Sequence, residues 1–421
     1  MKKHYYALAL SLFALPGLAK DAQTLEQRIA QTAADNRHEL RLDDGQFSGP
    51  AWDLLVREGR AAKFFLLGEE HGIAENPQFA AALYAALAPS GYAHMAIEIS
   101  PPMATELDLA ARAGLDSLTA FLAQPESAVA FFGMAEEAQM LVDVRAASAS
   151  EHSALWGLDY EVLADRHLIG QLQQMPKPEA AEEAMAALAQ ASAQSWQEYA
   201  ETRGPQFIFS FAGDPVLVAA LRASWPGADP NADRIMHTLE ETLAVNQLWI
   251  AGKGWGSNQR RAELNRANFL RYWQAEKAAG RSPRVFAKFG ASHMVRGRSS
   301  TEVFDLGTLL PEVAAIEGGH SFHLLVLPGI GADVGVLDPT KLRYAAAPAK
   351  DGYAKGLDSI LNLAEADQYT LFDLRPLRAL LGRWRDGTSP ELMRVVHGYD
   401  ALLLMNGSTA SSNLLPDLSA P

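Results

Sequence analysis

The 421-residue chain contains no cysteine. Thiol catalysis, thiolate zinc sites, iron–sulfur clusters and a lipid-bearing N-terminal cysteine are therefore excluded. An excess of positive charge is also missing, since 36 Lys and Arg stand against 50 Asp and Glu for a formal net charge of −14. Without basic clusters, nucleic acid is not an expected partner. Beyond the first residues no apolar run is long enough for a membrane-spanning helix, so stable membrane insertion is not expected either. Three catalytic signatures are lacking as well: G-x-S-x-G, H-E-x-x-H and G-x-x-x-x-G-K-[ST]. The common serine-hydrolase elbow, the zincin helix and the phosphate-binding loop have no support.

What is present is a chain that is 48% hydrophobic, enough for a sizeable core without disulfide or metal staples. Its first residues read as an export signal. Lys2 and Lys3 form a positive start, Ala7 to Leu15 a short apolar core, and Gly17-Leu18-Ala19 the small residues a signal peptidase inspects. A signal peptide over 1–19 implies a periplasmic or secreted protein. The remainder divides into an α/β domain over 20–340, with a helical insert at about 165–280, and a C-terminal extension over 341–421 completing the same domain.

Four segments share one pattern, a short apolar strand ending in polar residues before a helix. They are Lys63–Leu67 running into Gly68-Glu69-Glu70-His71, Met95–Ile97 into Glu98, Ala154–Leu158 into Asp159-Tyr160-Glu161, and Val285–Phe289 into Gly290-Ala291-Ser292-His293. Strands alternating with helices predict a parallel sheet, which would place all four polar ends on one rim. Further strands are expected at Phe322–Leu327, Tyr369–Leu374 and Ala401–Leu404. The glycine-rich run Gly329 to Gly335 lies between β-like runs and reads as a hairpin turn. Asp338 to Gly356 reads as a connecting loop, and the polar tail from Gly407 as loosely ordered.

His71 is the leading candidate for chemistry. On an extended segment Glu69 and His71 fall on the same side, where a carboxylate can fix the imidazole tautomer and raise its basicity. Glu70 points the other way. Glu98 interrupts an apolar strand end and must be paired, hydrated or functional. Asp159 and Glu161 share a same-side spacing and are open to either a capping or a binding role. His293 falls on the same expected rim as His71. Arg261 and Asn268 lie two helical turns apart on one face, and the arginine suits an anionic group or a developing oxyanion.

These residues, in this order, resemble the erythromycin esterase family, within a larger group that includes haem-binding uptake lipoproteins and Tiki-type metalloproteases. The matching features are Gly68-Glu69-Glu70-His71-Gly72 with Glu75, then Glu98, then Gly157-Leu158-Asp159. The Arg261–Asn268 helix, Gly290-Ala291-Ser292-His293 with Gly307 and Leu310, and Tyr399-Asp400-Ala401 follow. The resemblance implies a three-layer α/β fold with a deep cleft, and hydrolysis of an ester or lactone by activated water, an activity tied to antibiotic resistance. It implies His71 as general base, with the motif glutamate (Glu69 or Glu70), Glu98 and His293 around the water. Arg261 would orient substrate or stabilise charge, and Asp159, Glu161 and Asn268 would contact a small-molecule substrate. No cofactor is implied by that mechanism. Two other readings use the same residues. In one, His71, Glu98, Asp159 and His293 hold Mn, Fe or Zn in a metal-dependent hydrolase. In the other, Tyr160 or His71 ligates haem in a periplasmic binding protein. Cleavage after Ala19 is expected to yield a mature chain beginning at Lys20, which intact-mass measurement of the exported protein checks.

Overall fold

The computed structural model describes residues 23–350, 355–366, 368–381 and 388–415. The expected signal segment lies outside the described residues. Eleven strands are found among them: β1 Arg37–Asp43, β2 Gln46–Ser48, β3 Phe64–Glu69, β4 Tyr92–Ile97, β5 Leu155–Gly157, β6 Arg284–Gly290, β7 Ser321–Pro328, β8 Asp333–Asp338, β9 Arg343–Pro348, β10 Tyr369–Asp373 and β11 Ala401–Met405. Nine form one sheet in the order β2-β1-β10-β11-β7-β3-β6-β4-β5. The stretch from β11 to β5 is parallel throughout, and β10, β1 and β2 extend it antiparallel.

Central strand β3 shows why the sheet carries helices on both faces. Its side chains alternate, and all of them are buried. Phe65 and Leu67 join one apolar cluster with Leu55, Phe79, Met103 and Leu141. Phe64 and Leu66 join another with Phe269, Trp273, Leu310 and Val395. Helices Pro50–Ala61, Glu75–Leu87, Pro101–Arg112 and Ala135–Ala147 thus cover the first face. Helices Gly254–Ala278, Leu306–Ile316 and Pro390–Gly398 cover the second. Phe64 meets Phe269 and Trp273 edge-on, with ring centroids 5.6 and 5.2 Å apart. A strand hydrophobic on both sides needs such cover on both sides, and the result is a three-layer α/β fold. No helix among the described residues is long and apolar enough to cross a membrane.

Between β5 and β6 the chain forms helices Asp165–Gln174, Glu179–Thr202, Pro215–Ser224, Pro230–Ile250 and Gly254–Ala278. Gly254, Trp255 and Gly256 form the first turn of the last of these helices.

The late sequence departs most from expectation. Gly329–Ala332 is not a hairpin turn, because β8 leaves the sheet and pairs with β9. Part of the expected connecting loop is therefore β9. The tail from Gly407 is not loose through residue 415 but crosses the carboxyl rim. Ser411 N donates to Gly72 O and Leu414 N to Gly133 O, while Ala74 N and Ala135 N donate to Thr409 O and Ser412 O. Glu75 and Glu136, in the first turns of their helices, accept from the backbone and hydroxyl of Thr409 and Ser412. These are long-range pairings between polar segments, which hydrophobic periodicity does not register.

At Gly72 three strips of backbone meet. Its φ is +91°, its carbonyl accepts from both Gly335 N and Ser411 N at 2.8 Å, and a Cβ would fall 2.3 Å from Gly335 O. Gly72→Ala combines left-handed strain with a backbone clash. It is expected to cost about 2 kcal/mol or more, read as a lower urea midpoint at unchanged slope.

Candidate active site

All four polar strand ends reach the carboxyl rim of the parallel sheet, where open α/β folds bind ligands. Glu69 ends β3, Glu98 follows β4, Asp159 follows β5, and His293 follows β6 in a short helical turn, Ala291–Met294. They line a cleft of about 570 Å³ together with Glu70, His71, Glu161 and Arg261.

Two carboxylate–imidazole pairs face each other across Glu98. His71 Nδ1 lies 2.8 Å from Glu69 Oε1, and its Nε2 is 3.5 Å from Glu98 Oε2. His293 Nδ1 lies 2.6 Å from Asp305 Oδ2, and its Nε2 is 3.5 Å from Glu98 Oε1. Gly290 N donates to Glu98 Oε2 at 2.6 Å, and Arg261 Nη2 to Oε1 at 2.6 Å. The same guanidinium grips Asp159 through Nε at 2.9 Å and through Nη2, and lies 5.0 Å above the Tyr160 ring. Gly290 is needed for this closeness: a Cβ there would come within 3.0 Å of His71 Nε2.

Electrostatics follow from burial against charge. Desolvation opposes ionisation of Glu98, but His293, His71 and Arg261 hold its carboxyl well below the usual range. Burial likewise opposes a charged His71, yet the Glu98 charge and the hydrogen bonds to Glu69 and Glu98 raise its pKa to about 10. For His293, burial and the Arg261 charge pull downward, while Asp305 and Glu98 carry it above the ordinary value. At neutral pH the resting His71 is thus an imidazolium. Burial raises Glu70 and carries Glu161 to about 7.

Two expected substrate contacts are committed elsewhere. Asn268 does not line the cleft; buried on its helix, it donates Nδ2 to Leu158 O at 2.7 Å and ties that helix to the end of β5. Glu161 touches the cleft, but its oxygens accept from Ser100 Oγ at 2.7 Å and from backbone N–H groups of Val162, Leu163 and Ala164. This caps the turn before the next helix. Asp159 lines the cleft while its oxygens hold Arg261 and Tyr160 N.

Other site residues were not foreseen. Asp305 orients His293 from a loop twelve residues later, with no local signal in the sequence. Behind Glu69 sits Lys288, fully buried on β6, its Nζ 2.7 Å from both Glu69 Oε1 and Glu137 Oε1. A lysine inside the apolar run Val285 to Phe289 was the available clue, because a buried ammonium needs partners. Asn76 donates to Glu69 Oε2. The cleft's outer wall is formed by β8 and β9, through Val334, Val336, Leu337 and Tyr344, with Ala130 and Phe131 beside them.

The same geometry tests the metal and haem readings. The cation between Glu98 and Asp159 is Arg261 itself, and no group of three His, Asp or Glu among the described residues is arranged to hold a metal ion. The proposed set does not fit. Of the two residues expected to ligate haem, Tyr160 lies beneath Arg261 with its phenol held neutral by burial, and His71 commits Nδ1 to Glu69 with Nε2 3.5 Å from Glu98.

An erythromycin esterase in its open conformation superposes on the chain with a TM-score of 0.59 at 15% identity, covering 90% of this chain and 99% of that one. The fold is that of an erythromycin esterase. A succinoglycan biosynthesis protein shares it (TM-score 0.59, 11% identity, 93% and 99% covered), as does a protein from Bacillus cereus (0.55, 13%, 92% and 99%). No protein-family model and no curated protein matches the sequence. Within this fold, the Glu69–Lys288–Glu137 bridge is a fully buried charged element behind the rim. Lys288→Met leaves two buried carboxylates facing each other without their ammonium. The expected loss is about 3–5 kcal/mol, measured by urea denaturation.

Proposed function

We propose that the chain hydrolyses an ester or lactone of a small molecule, with water activated at His71. The observation that carries this reading is the pair of carboxylate-backed imidazoles turning their Nε2 atoms toward one carboxylate in an open cleft. A neutral His71, steadied by Glu69, takes a proton from water through Nε2 as the water oxygen attacks the carbonyl carbon. Arg261 and His293 stand beside the place where the carbonyl oxygen gains negative charge, and the guanidinium stabilises it electrostatically. Collapse breaks the bond to the alkoxy oxygen, and the proton on His71 passes to the departing alcohol. No metal is needed in this sequence of steps. The erythromycin-esterase fold supports the reading, and the N-terminal export signal favours a periplasmic or secreted place of action. The acidic chain, the polar floor and the apolar wall of Val334, Val336 and Leu337 suit a neutral ester with an apolar body.

The charge on Glu98 controls when His71 can act. Because His71 must lose its proton to serve as base, activity is expected to climb from neutral pH toward about 10. Glu98→Gln removes the charge that holds the imidazolium and is expected to move that rise to lower pH. His71→Ala should cut turnover about a hundred- to ten-thousandfold with circular dichroism unchanged. The assay is an ester and lactone panel, macrolides included, run on chelator-treated protein. A folded, fully active His71→Ala protein refutes the assignment, and activity lost to chelation alone replaces it with the metal reading.

A further inference from the structure

Between His71 and the outer wall of the cleft stands Phe131, whose backbone is unusual. Its φ is +62°, a left-handed conformation that a bulky residue adopts only when its surroundings enforce it. Its ring lies flat against the His71 imidazole, with centroids 4.0 Å apart and planes 20° from parallel. Nothing in the local sequence, Val129-Ala130-Phe131-Phe132-Gly133, demands this placement. The enforcing contact comes from far along the chain: Phe131 N donates to the Tyr344 hydroxyl at 2.6 Å. Tyr344 on β9 is itself clamped. Its N–H donates to Asn413 Oδ1 at 2.9 Å, and Asn413 Nδ2 donates back to its carbonyl at 2.8 Å. Asn413 also pairs with Met134, closing the loop on the segment that carries Phe131.

We propose that Phe131 is a positioning residue for His71 and that Tyr344, clamped by Asn413, is the latch that keeps it there. The inference rests on the hydrolase reading of His71. The imidazole is tied along its edges, through Nδ1 to Glu69 and by the approach of Nε2 to Glu98. Edge contacts leave the ring free to swing out of plane toward the cleft. The phenyl face closes that direction, and it also favours a cationic ring packed against it. Both Phe131 and Tyr344 line the cleft, so the latch lies within reach of whatever occupies it. The last described segment of the chain thereby bears on the first catalytic histidine, through one hydroxyl and one strained peptide.

The test uses the full chain labelled at histidine, with the His71 ring signals assigned by their loss in His71→Gln. The stacked phenyl shields the His71 ring protons, which are expected upfield of those of an unstacked histidine. Phe131→Leu should abolish that shielding. Tyr344→Phe keeps every carbon and removes only the acceptor; it should reduce the shielding and lower kcat ten- to hundredfold with KM within about twofold. Phe131→Tyr, which keeps the ring, should preserve both. Asn413→Ala carries the test if Tyr344→Phe does not fold, with a smaller change in the same direction. Unmoved His71 signals in Phe131→Leu and Tyr344→Phe overturn the proposal, as does lost shielding with unchanged kcat. Should no ester be turned over by the native chain, the resonances still decide whether the latch holds the ring, while the hydrolase reading falls.

Discussion

Glu98 is the carboxylate around which the site is assembled. It sits where β4 ends, nearly buried, and receives Gly290 N, Arg261 and the approach of two imidazoles. A carboxylate in that position would be intolerable alone, since burial without partners strongly disfavours its charge. Its partners come from the ends of two other strands, β3 and β6, and from one helix. Holding it ionised therefore requires the sheet order that brings β3, β4 and β6 side by side. In return it keeps His71 protonated and aligned, coupling the register of the sheet to the proton chemistry of the cleft.

Behind this carboxylate lies a second tier. Glu69 reaches His71 from one side because Lys288 and Asn76 hold it from the other, and Asp305 does the same for His293. Each imidazole thus has one nitrogen committed to a carboxylate and one left facing the cleft. Such committed second partners reduce the freedom of the reacting groups before substrate arrives. The outer wall is built differently. Strands β8 and β9, the crossing segment 407–415 and the Phe131 turn are joined by backbone and amide hydrogen bonds and are partly exposed. Regions of that kind open at lower cost than a sheet core, which suits the side through which a ligand enters.

Much of this was legible in the residues themselves. The strand ends Glu69, Glu98, Asp159 and His293 stood out because polar groups there interrupt strongly apolar runs, and the strands were found at their expected places. Period-two alternation put Glu69 and His71 on one side, as the 2.8 Å contact reflects. The same reasoning left the partners of Asn268 and Glu161 open, and in the structure their side chains serve a helix anchor and a turn cap. Both are buried polar residues near a cleft, and only their partners distinguish support from contact. Asp305, Lys288, Phe131 and Tyr344 were missed because each acts across a long stretch of sequence. Strand β9 was read as part of a loop because it is short, alanine-rich and only partly buried, so it lacks the apolar alternation that marks a strand.

By itself the sequence determined the α/β class, the parallel strands, and the polar ends that would meet at a rim, because these follow from local hydrophobic periodicity and from charges placed at strand ends. Tertiary structure alone decided which carboxylate backs which imidazole, that Arg261 bridges Glu98 and Asp159, and that the last described segment holds the strand whose Tyr344 bonds Phe131. Those outcomes depend on distances between residues far apart in the chain. Burial then sets how strongly each charge is felt, and neither quantity is encoded in local pattern.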